Sequence, residues 1–389
     1  MGVRGLNKFI TQICDKNNVD AIQHKKFDEY RDKIMVIDVS QKIYSYGISI
    51  RNSGDDKLSL DGKIINHLYA IIYYTKFLLK HSIKPLYIFD GKTPDVKNEV
   101  IIERKEKKES ACKKCEEFID TSSDEYIKHF KRSYSFSDEQ MKECQQLLKA
   151  LGIPYCEAPE EADSQCAAIV SSDTTTYGVI SEDIDTLVFG AKIICKDFSG
   201  KHDSSTEINL EGILDVLFIE ANNIRKENYK QPLAHFNYYN FVDYVSMLNT
   251  DYFTGLKHLT PSLVFELFVI NNCDVYNTID YIKKNNSIYN IFIQDDFIQN
   301  WNNVKKYYTE AEVFNPVYID KTFKRPNKYL IRRILTNCNF NQSFIDDFID
   351  LVNAFYIKQN PTICIDKQST QIKSFKSYDR KYKLCKTRK

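Results

Sequence analysis

No charge of one sign dominates this sequence of 389 residues, whose formal net charge is +1 at pH 7. A global positive field therefore does not draw it to nucleic acid, and any such attraction has to come from local patches. Long hydrophobic runs are missing as well, since none approaches the ~20 residues that span a bilayer. No leader with an apolar core opens the chain, so neither a secreted nor a membrane protein is expected. Histidine is scarce: seven residues are spread too widely to suggest a site, and no convincing catalytic triad is found. Cys112-x-x-Cys115 lacks a second pair at zinc-like spacing. The eleven cysteines are scattered, which favours free thiols in a reducing compartment over a disulfide framework. No internal repeat is found.

What is present is a soluble globular composition, 43% hydrophobic and 28% charged, in a chain long enough for one large α/β domain or two ordinary ones. Three short apolar runs each end in a carboxylate. Ile34-Met35-Val36-Ile37 precedes Asp38, and Leu86-Tyr87-Ile88-Phe89 precedes Asp90. Tyr177-Gly178-Val179-Ile180 precedes Ser181-Glu182-Asp183-Ile184-Asp185. Continuous rather than alternating apolarity predicts strands covered on both faces, as in a parallel sheet flanked by helices. Helical patterns fall between them, over about residues 64–80 and 138–151, the second stopped by Gly152. The expected fold class is α/β with a central, mostly parallel sheet. Over residues 95–132 the chain is dense in Lys, Arg, Glu and Asp, as either a helical insertion or a solvated charged helix. Residues 241–285 look helical. Residues 367–389 carry nine Lys/Arg against Asp379 alone, the composition of a disordered basic tail.

In open α/β sheets ligands sit outside the carboxyl ends of the strands, where Asp38, Asp90, Asp183 and Asp185 fall. Each alone is as well explained by capping the next helix or pairing with a surface lysine. Together they repel one another unless protonated or neutralised. The ordinary neutraliser of an all-oxygen cluster is a hard divalent cation, Mg2+ or Mn2+. Ala158-Pro159-Glu160-Glu161-Ala162-Asp163 brings more acid ahead of the apolar run that starts at Cys166. Pro159 fits the first turn of a helix, whose dipole favours acids there. Glu161 and Asp163 then reach a common cluster only if that helix start points into it. Asp251 follows a helical segment, where a helix-ending turn is the alternative account.

Taken in order, these strings resemble the flap endonucleases and their relatives, the xeroderma-pigmentosum-G-type structure-specific 5′ nucleases, from residue 1 to about 285. Met1-Gly2-Val3-Arg4-Gly5-Leu6 is similar to the family's opening. Ile37-Asp38-Val39-Ser40, the run from Lys84 to Lys92, Gly152-Ile153-Pro154-Tyr155, the run from Ala158 to Asp163, and Glu182-Asp183-Ile184-Asp185-Thr186-Leu187 resemble its later motifs. The resemblance implies a PIN-like nuclease core at residues 1–240 with a helical arch at 95–137. Beyond it would lie a helix–turn–helix DNA-binding module at 241–290, a helical region at 291–366 and the basic tail at 367–389. The implied activity is that of a 5′ flap endonuclease and 5′–3′ exonuclease in DNA replication, repair or recombination. It would hydrolyse branched DNA with a 5′ flap by a two-metal mechanism and leave 5′-phosphate ends. Asp38, Asp90, Glu161 and Asp163 would gather one Mg2+, and Asp183, Asp185 and Asp251 the other, with Mn2+ as a substitute. Asp163 stands where the family more often has Glu. Lys97 and Arg104 would meet the scissile phosphate, and Lys107 and Lys108 would extend that basic face. Tyr44 would stack on a base, unless it is simply a half-buried helix tyrosine. Arg51 would contact the DNA backbone, and Gly2 would belong to a DNA-contacting start. A monomer is implied, working in the nucleus or, for a viral member, at a cytoplasmic replication site.

The sequence departs from the pattern at the helix–turn–helix, where the family carries a glycine-rich turn that binds K+, followed by basic residues. Gly255-Leu256-Lys257-His258-Leu259-Thr260-Pro261-Ser262-Leu263 puts His258 and Thr260 at the turn glycines, and Ser262 and Leu263 at the basic pair. Non-Gly residues disfavour positive φ, so a weaker grip on duplex DNA is expected, with the cleavage chemistry intact. Tyr74 also stands at a basic position of the family. In the tail, residues 369–376 have the spacing of a sliding-clamp-binding box but lack its leading Gln in register and its second aromatic. A phosphate-attracting tail is the alternative. Four functions stay open: a flap endonuclease, the same fold turned to RNA or to exonucleolytic cutting, a non-catalytic replication scaffold, and a small-molecule phosphohydrolase. The complete acid set argues against the scaffold, and the charged insertion against the small-molecule enzyme.

Overall fold

The three apolar runs become the centre of one sheet. The computed structural model describes residue 3 and residues 5–118, 120–289, 291 and 293–361. Its strands are Ile22–Lys26 (β1), Ile34–Asp38 (β2), Lys84–Phe89 (β3), Tyr155–Glu157 (β4), Thr176–Ile180 (β5), Ile193–Lys196 (β6) and Ser204–Asn209 (β7), in the spatial order β1-β7-β6-β5-β2-β3-β4. β2 pairs in parallel with β3 and β5, as do β3 with β4 and β5 with β6; β7 is antiparallel to β6 and β1. The four outer strands escape a reading of apolar runs because they are short or polar, as Ser204–Asn209 is.

The helices come in three groups. The first is Leu6–Asn17 (α1), Val39–Ile50 (α2), Asn66–Lys80 (α3), Asn98–Glu117 (α4), Asp124–Arg132 (α5) and Asp138–Leu151 (α6). Next come Ala162–Ser172 (α7), Asp185–Val188 (α8), Leu210–Glu227 (α9), Tyr238–Ser246 (α10), Pro261–Ile270 (α11) and Val275–Lys284 (α12). The last are Asn286–Tyr289 (α13), Phe297–Glu310 (α14), Lys328–Asn337 (α15) and Gln342–Gln359 (α16). α6 opens on a reciprocal Ser137–Gln140 capping box and stops at Gly152, whose φ of 70° is left-handed.

Successive strand residues face opposite sides. Val36, Leu86, Ile88 and Val179 join the core beneath α1, α7, α9, α10 and α11, while Ile37, Tyr87, Phe89 and Ile180 join the core beneath α2, α3, α6, α15 and α16. Both faces are covered, which is why the strands show no polar alternation. The charged stretch is the helical hairpin α4–α5. Among the described residues nine cysteines are free thiols, and no helix is long and apolar enough to cross a membrane.

Candidate active site

Each central strand delivers its acid by ending. β2 closes at Asp38, whose Oδ1 accepts from the Gln41 amide at 3.3 Å and caps α2. After β3, Asp90 Oδ1 accepts from the Ala162 amide at 2.9 Å, and Oδ2 accepts from the Ser40 hydroxyl. Asp90 thereby satisfies an orphan donor at the start of α7, a helix otherwise without a side-chain cap. After β5, the Asp183 amide donates to Ser181 Oγ at 3.0 Å, and Asp183 Oδ1 accepts from the Asp185 amide at 3.1 Å. Asp185 begins α8, and its Oδ1 accepts from the Val3 amide at 3.3 Å. Asp251 lies in a turn that Thr250 closes by accepting from the amides of Tyr252 and Phe253, both at 3.1 Å.

Helix α7 begins later than the sequence implies, and Pro159 is not in its first turn. The Gly91 amide donates to Glu160 O at 2.7 Å and the Lys92 amide to Pro159 O at 3.0 Å, so this stretch is tied to the exit of β3. Only glycine permits that approach, because a Cβ on Gly91 would stand 1.9 Å from Ala158 O. Glu161 therefore takes the N-cap position in extended backbone, and Asp163 follows in the first turn. That placement lets two acids two residues apart face one space, which a helix interior would forbid.

Asp38, Asp90, Glu161, Asp163, Asp183 and Asp251 line one cavity of about 1320 Å³, with Asp185 adjoining Asp183 behind the wall. Asp38, Glu161, Asp183 and Asp185 are buried. Burial, reinforced by the charge of Asp90, pushes the Asp38 carboxyl up to about 7. Burial and the charges of Asp38 and Asp183 hold Asp163 well above the carboxylate range. Asp185 is driven the same way by burial, Asp183 and Asp251, and Asp183 is raised by burial above all.

The opposite wall is the α4–α5 hairpin. Lys97 donates to Glu161 Oε1, and Arg104 Nη2 to Asp251 Oδ2 at 2.5 Å. Burial works against the Lys97 ammonium, but the charges of Glu161, Asp163 and Asp251 outweigh it and raise its pKa. Lys107 and Lys108 also line the cavity, Lys107 pairing with Glu103 one turn back. Tyr44 is half-buried at the cavity wall, against Tyr134 and Phe136 at centroid distances of 5.9 and 5.0 Å.

Arg51, expected at the DNA backbone, is engaged within the protein. Its Nε and Nη2 donate to the two carboxylate oxygens of Asp56 at 2.7 and 2.9 Å. Nη1 donates to Phe130 O at 2.7 Å and Ser133 Oγ at 3.0 Å. The side chain is 9% exposed and ties α2 to α5, so its fork is already spent inside the protein. Tyr74 is buried with its hydroxyl on Phe198 O. The 255–263 turn is built with no positive φ, and Thr260 caps α11 through the Leu263 amide at 3.3 Å. Gly2 and residues 369–376 lie outside the described residues.

Several side chains around the acids were missed in the sequence. Ser40 and Thr186, which donates to Asp163 Oδ1 at 2.8 Å, sit inside strings already singled out. Tyr252 directly follows Asp251, and its hydroxyl donates to Glu161 Oε2 at 2.7 Å. Tyr307 of α14 donates to the same oxygen at 3.0 Å, and no local pattern connects it with Glu161, 146 residues earlier.

The donor set bears directly on a metal. It is all carboxylate oxygen, crowded and buried enough to favour protons over free charge, and a hard divalent cation relieves that load. Among the described residues no three Asp, Glu, His or Cys side chains converge on one point as they stand. Each acid oxygen named above is turned to a donor: Glu161 to Lys97 and two tyrosines, Asp163 to Thr186, Asp251 to Arg104. The residues fit the cation by chemistry and charge.

Residues 1–111 match the XPG N-terminal domain and residues 152–251 the XPG I-region. Flap endonuclease 1 of Nematostella vectensis is 30% identical over 339 residues, 84% of this chain and 80% of that one. Flap endonuclease 1 of Pyrenophora tritici-repentis is 31% identical over 284 residues, 72% of this chain and 67% of the relative. Among solved structures, the catalytic core of Rad2 in complex with DNA substrate aligns with a TM-score of 0.65 at 22% identity, covering 90% of this chain and all of that one. Flap endonuclease-1 from Methanococcus jannaschii aligns with a TM-score of 0.62 at 21% identity, covering 88% and 98%. The fold is that of an α/β nuclease core. The chain belongs to the flap endonuclease family.

Proposed function

We propose that this protein is a structure-specific 5′ flap endonuclease whose cavity holds two hard divalent cations, Mg2+ or Mn2+, and hydrolyses the DNA phosphodiester at the base of the flap. The observation that carries the reading is the meeting of six acids from five separate segments in one cavity, with Lys97 and Arg104 entering from the opposite wall. Asp38, Asp90, Glu161 and Asp163 would hold one ion, and Asp183, Asp185 and Asp251 the other. When bound, the ions would supply a water of lowered pKa and positive charge for the attacking and leaving oxygens.

The chain's own residues do the rest. Lys97 and Arg104 exchange their carboxylate partners for the phosphate and offset its developing charge. Tyr44 offers a ring face to a base beside the cut, a contact worth ~1–3 kcal/mol. The hairpin covers the cavity and limits water around the reacting phosphate. α11 opens with Ser262 and Leu263 in place of cations, so the duplex arm is held more weakly and the alternative of 5′-end exonucleolytic or RNA cutting gains weight. The protein works as a monomer at sites of DNA replication or repair, in the nucleus or in a viral replication compartment. The basic tail with its clamp-like spacing would be its tether there.

The test is incubation of the purified protein with Mg2+ and labelled 5′-flap, nicked, gapped, linear duplex and single-stranded DNA and RNA. Cutting at the flap junction supports the reading. Preference for RNA or for free 5′ ends moves the function to the alternative, and inertness on every substrate removes it.

A further inference from the structure

Glu161 is held on both of its carboxylate oxygens. Oε2 accepts from the hydroxyls of Tyr252 and Tyr307, and Oε1 takes the Lys97 ammonium. The phenols reach it from distant segments, Tyr252 from the turn after α10 and Tyr307 from α14. Their rings pack together at 5.1 Å, and both lean on Phe189, at 6.3 and 5.7 Å. That packing fixes the rings, and phenylalanine would supply it equally well. The hydroxyls are a separate choice, because each one buried costs free energy unless it is bonded. Both spend their bond on one oxygen of one cavity acid.

We infer that Tyr307 is a positioning residue of the metal site: with Tyr252 it pins Oε2 of Glu161, so that Oε1 alone is left to the cavity to bind a divalent cation. The inference rests on the reading of Glu161 as a metal ligand. It makes Lys97 and the cation competitors for the same oxygen, so loading the site frees the ammonium for the phosphate. Partners that orient a ligand from behind typically account for 10- to 100-fold in metal affinity. A phenol pair holding a charged acceptor belongs in that range.

The test is a Mn2+ titration of the intact protein without DNA, read by the electron paramagnetic resonance of free Mn2+. It compares wild type, Tyr307→Phe, Glu161→Gln and the double variant. Tyr307→Phe is expected to weaken Mn2+ binding about tenfold with its melting temperature nearly unchanged, and excess Mn2+ should restore its cleavage rate. In the Glu161→Gln background the same substitution should change Mn2+ affinity less than about twofold, because the oxygen it positions has lost its charge. If Tyr307→Phe folds poorly, Tyr252→Phe removes the other hydroxyl and is read through the same cycle. Wild-type affinity in the tyrosine variant, or an equal loss in both backgrounds, would overturn the inference and leave the metal site standing. A wild-type protein that takes up no Mn2+ would overturn both.

Discussion

Arg104 Nη2 stands 2.5 Å from Asp251 Oδ2, joining a helix of the charged hairpin to an acid 147 residues further along the chain. The pair is partly exposed, 43% and 20%, so its own worth to stability is small. Its significance is that the guanidinium already sits where negative charge collects. Arg104→Ala should therefore slow single-turnover cleavage about 100- to 1000-fold, while the Kd for flap DNA changes only a few fold. Equal losses in rate and affinity would make Arg104 a binding residue instead.

Asp183 is raised by burial above all, so its ionised form burdens the metal-free fold. Asp183→Asn removes that charge without changing the shape. Thermal melting in EDTA should show a gain in stability, while cleavage falls to background. A destabilised variant would mean that the carboxylate supports the fold.

The pH dependence follows from Asp38, whose carboxyl rises from the unfolded value of 3.8 to about 7. Between those limits the folded state binds more protons than the unfolded one, so stability is full below about 4 and is lost as pH rises through about 7. Asp163 and Asp185 push in the same direction. The melting temperature in EDTA should fall over that window, and saturating Mg2+ should flatten the fall.

Much of this centre is legible in the sequence, and the reason is local. An apolar run ending in an acid reveals both a buried strand and the position of its carboxylate, as at Asp38, Asp90 and Asp183. The start of α7 is less legible, because Pro159 announces a helix that the backbone bonds of Gly91 and Lys92 postpone to Ala162. The partners of Arg51 are not legible either, because only the fold brings Asp56, Phe130 and Ser133 around it. Tyr307 carries no local sign at all, since its role exists only once α14 lies beside the cavity.

The close approach at Gly91 has a measurable cost when filled. A Cβ there meets Ala158 O at 1.9 Å and Pro159 O at 2.7 Å, and carbonyls cannot swing aside as side chains can. Gly91→Ala should lower stability by roughly 1–3 kcal/mol or more, and should cut activity through the displaced Asp90 and Glu161. Denaturant melts and cleavage rates measure both effects.

Ser262 is exposed in the first turn of α11. Ser262→Lys should add one phosphate contact, tightening duplex binding at low salt and steepening the salt dependence by a slope of about 1. An unchanged slope would place the duplex elsewhere.

The central claim is met most directly by anomalous scattering from crystals grown with Mn2+. Two peaks about 3.5–4 Å apart, one within reach of Asp38, Asp90, Glu161 and Asp163 and the other of Asp183, Asp185 and Asp251, are expected, with Lys97 turned away from Glu161. A map in which Mn2+ shuns this cavity, or in which Lys97 and Arg104 stay locked to Glu161 and Asp251 beside the bound ions, would contradict it.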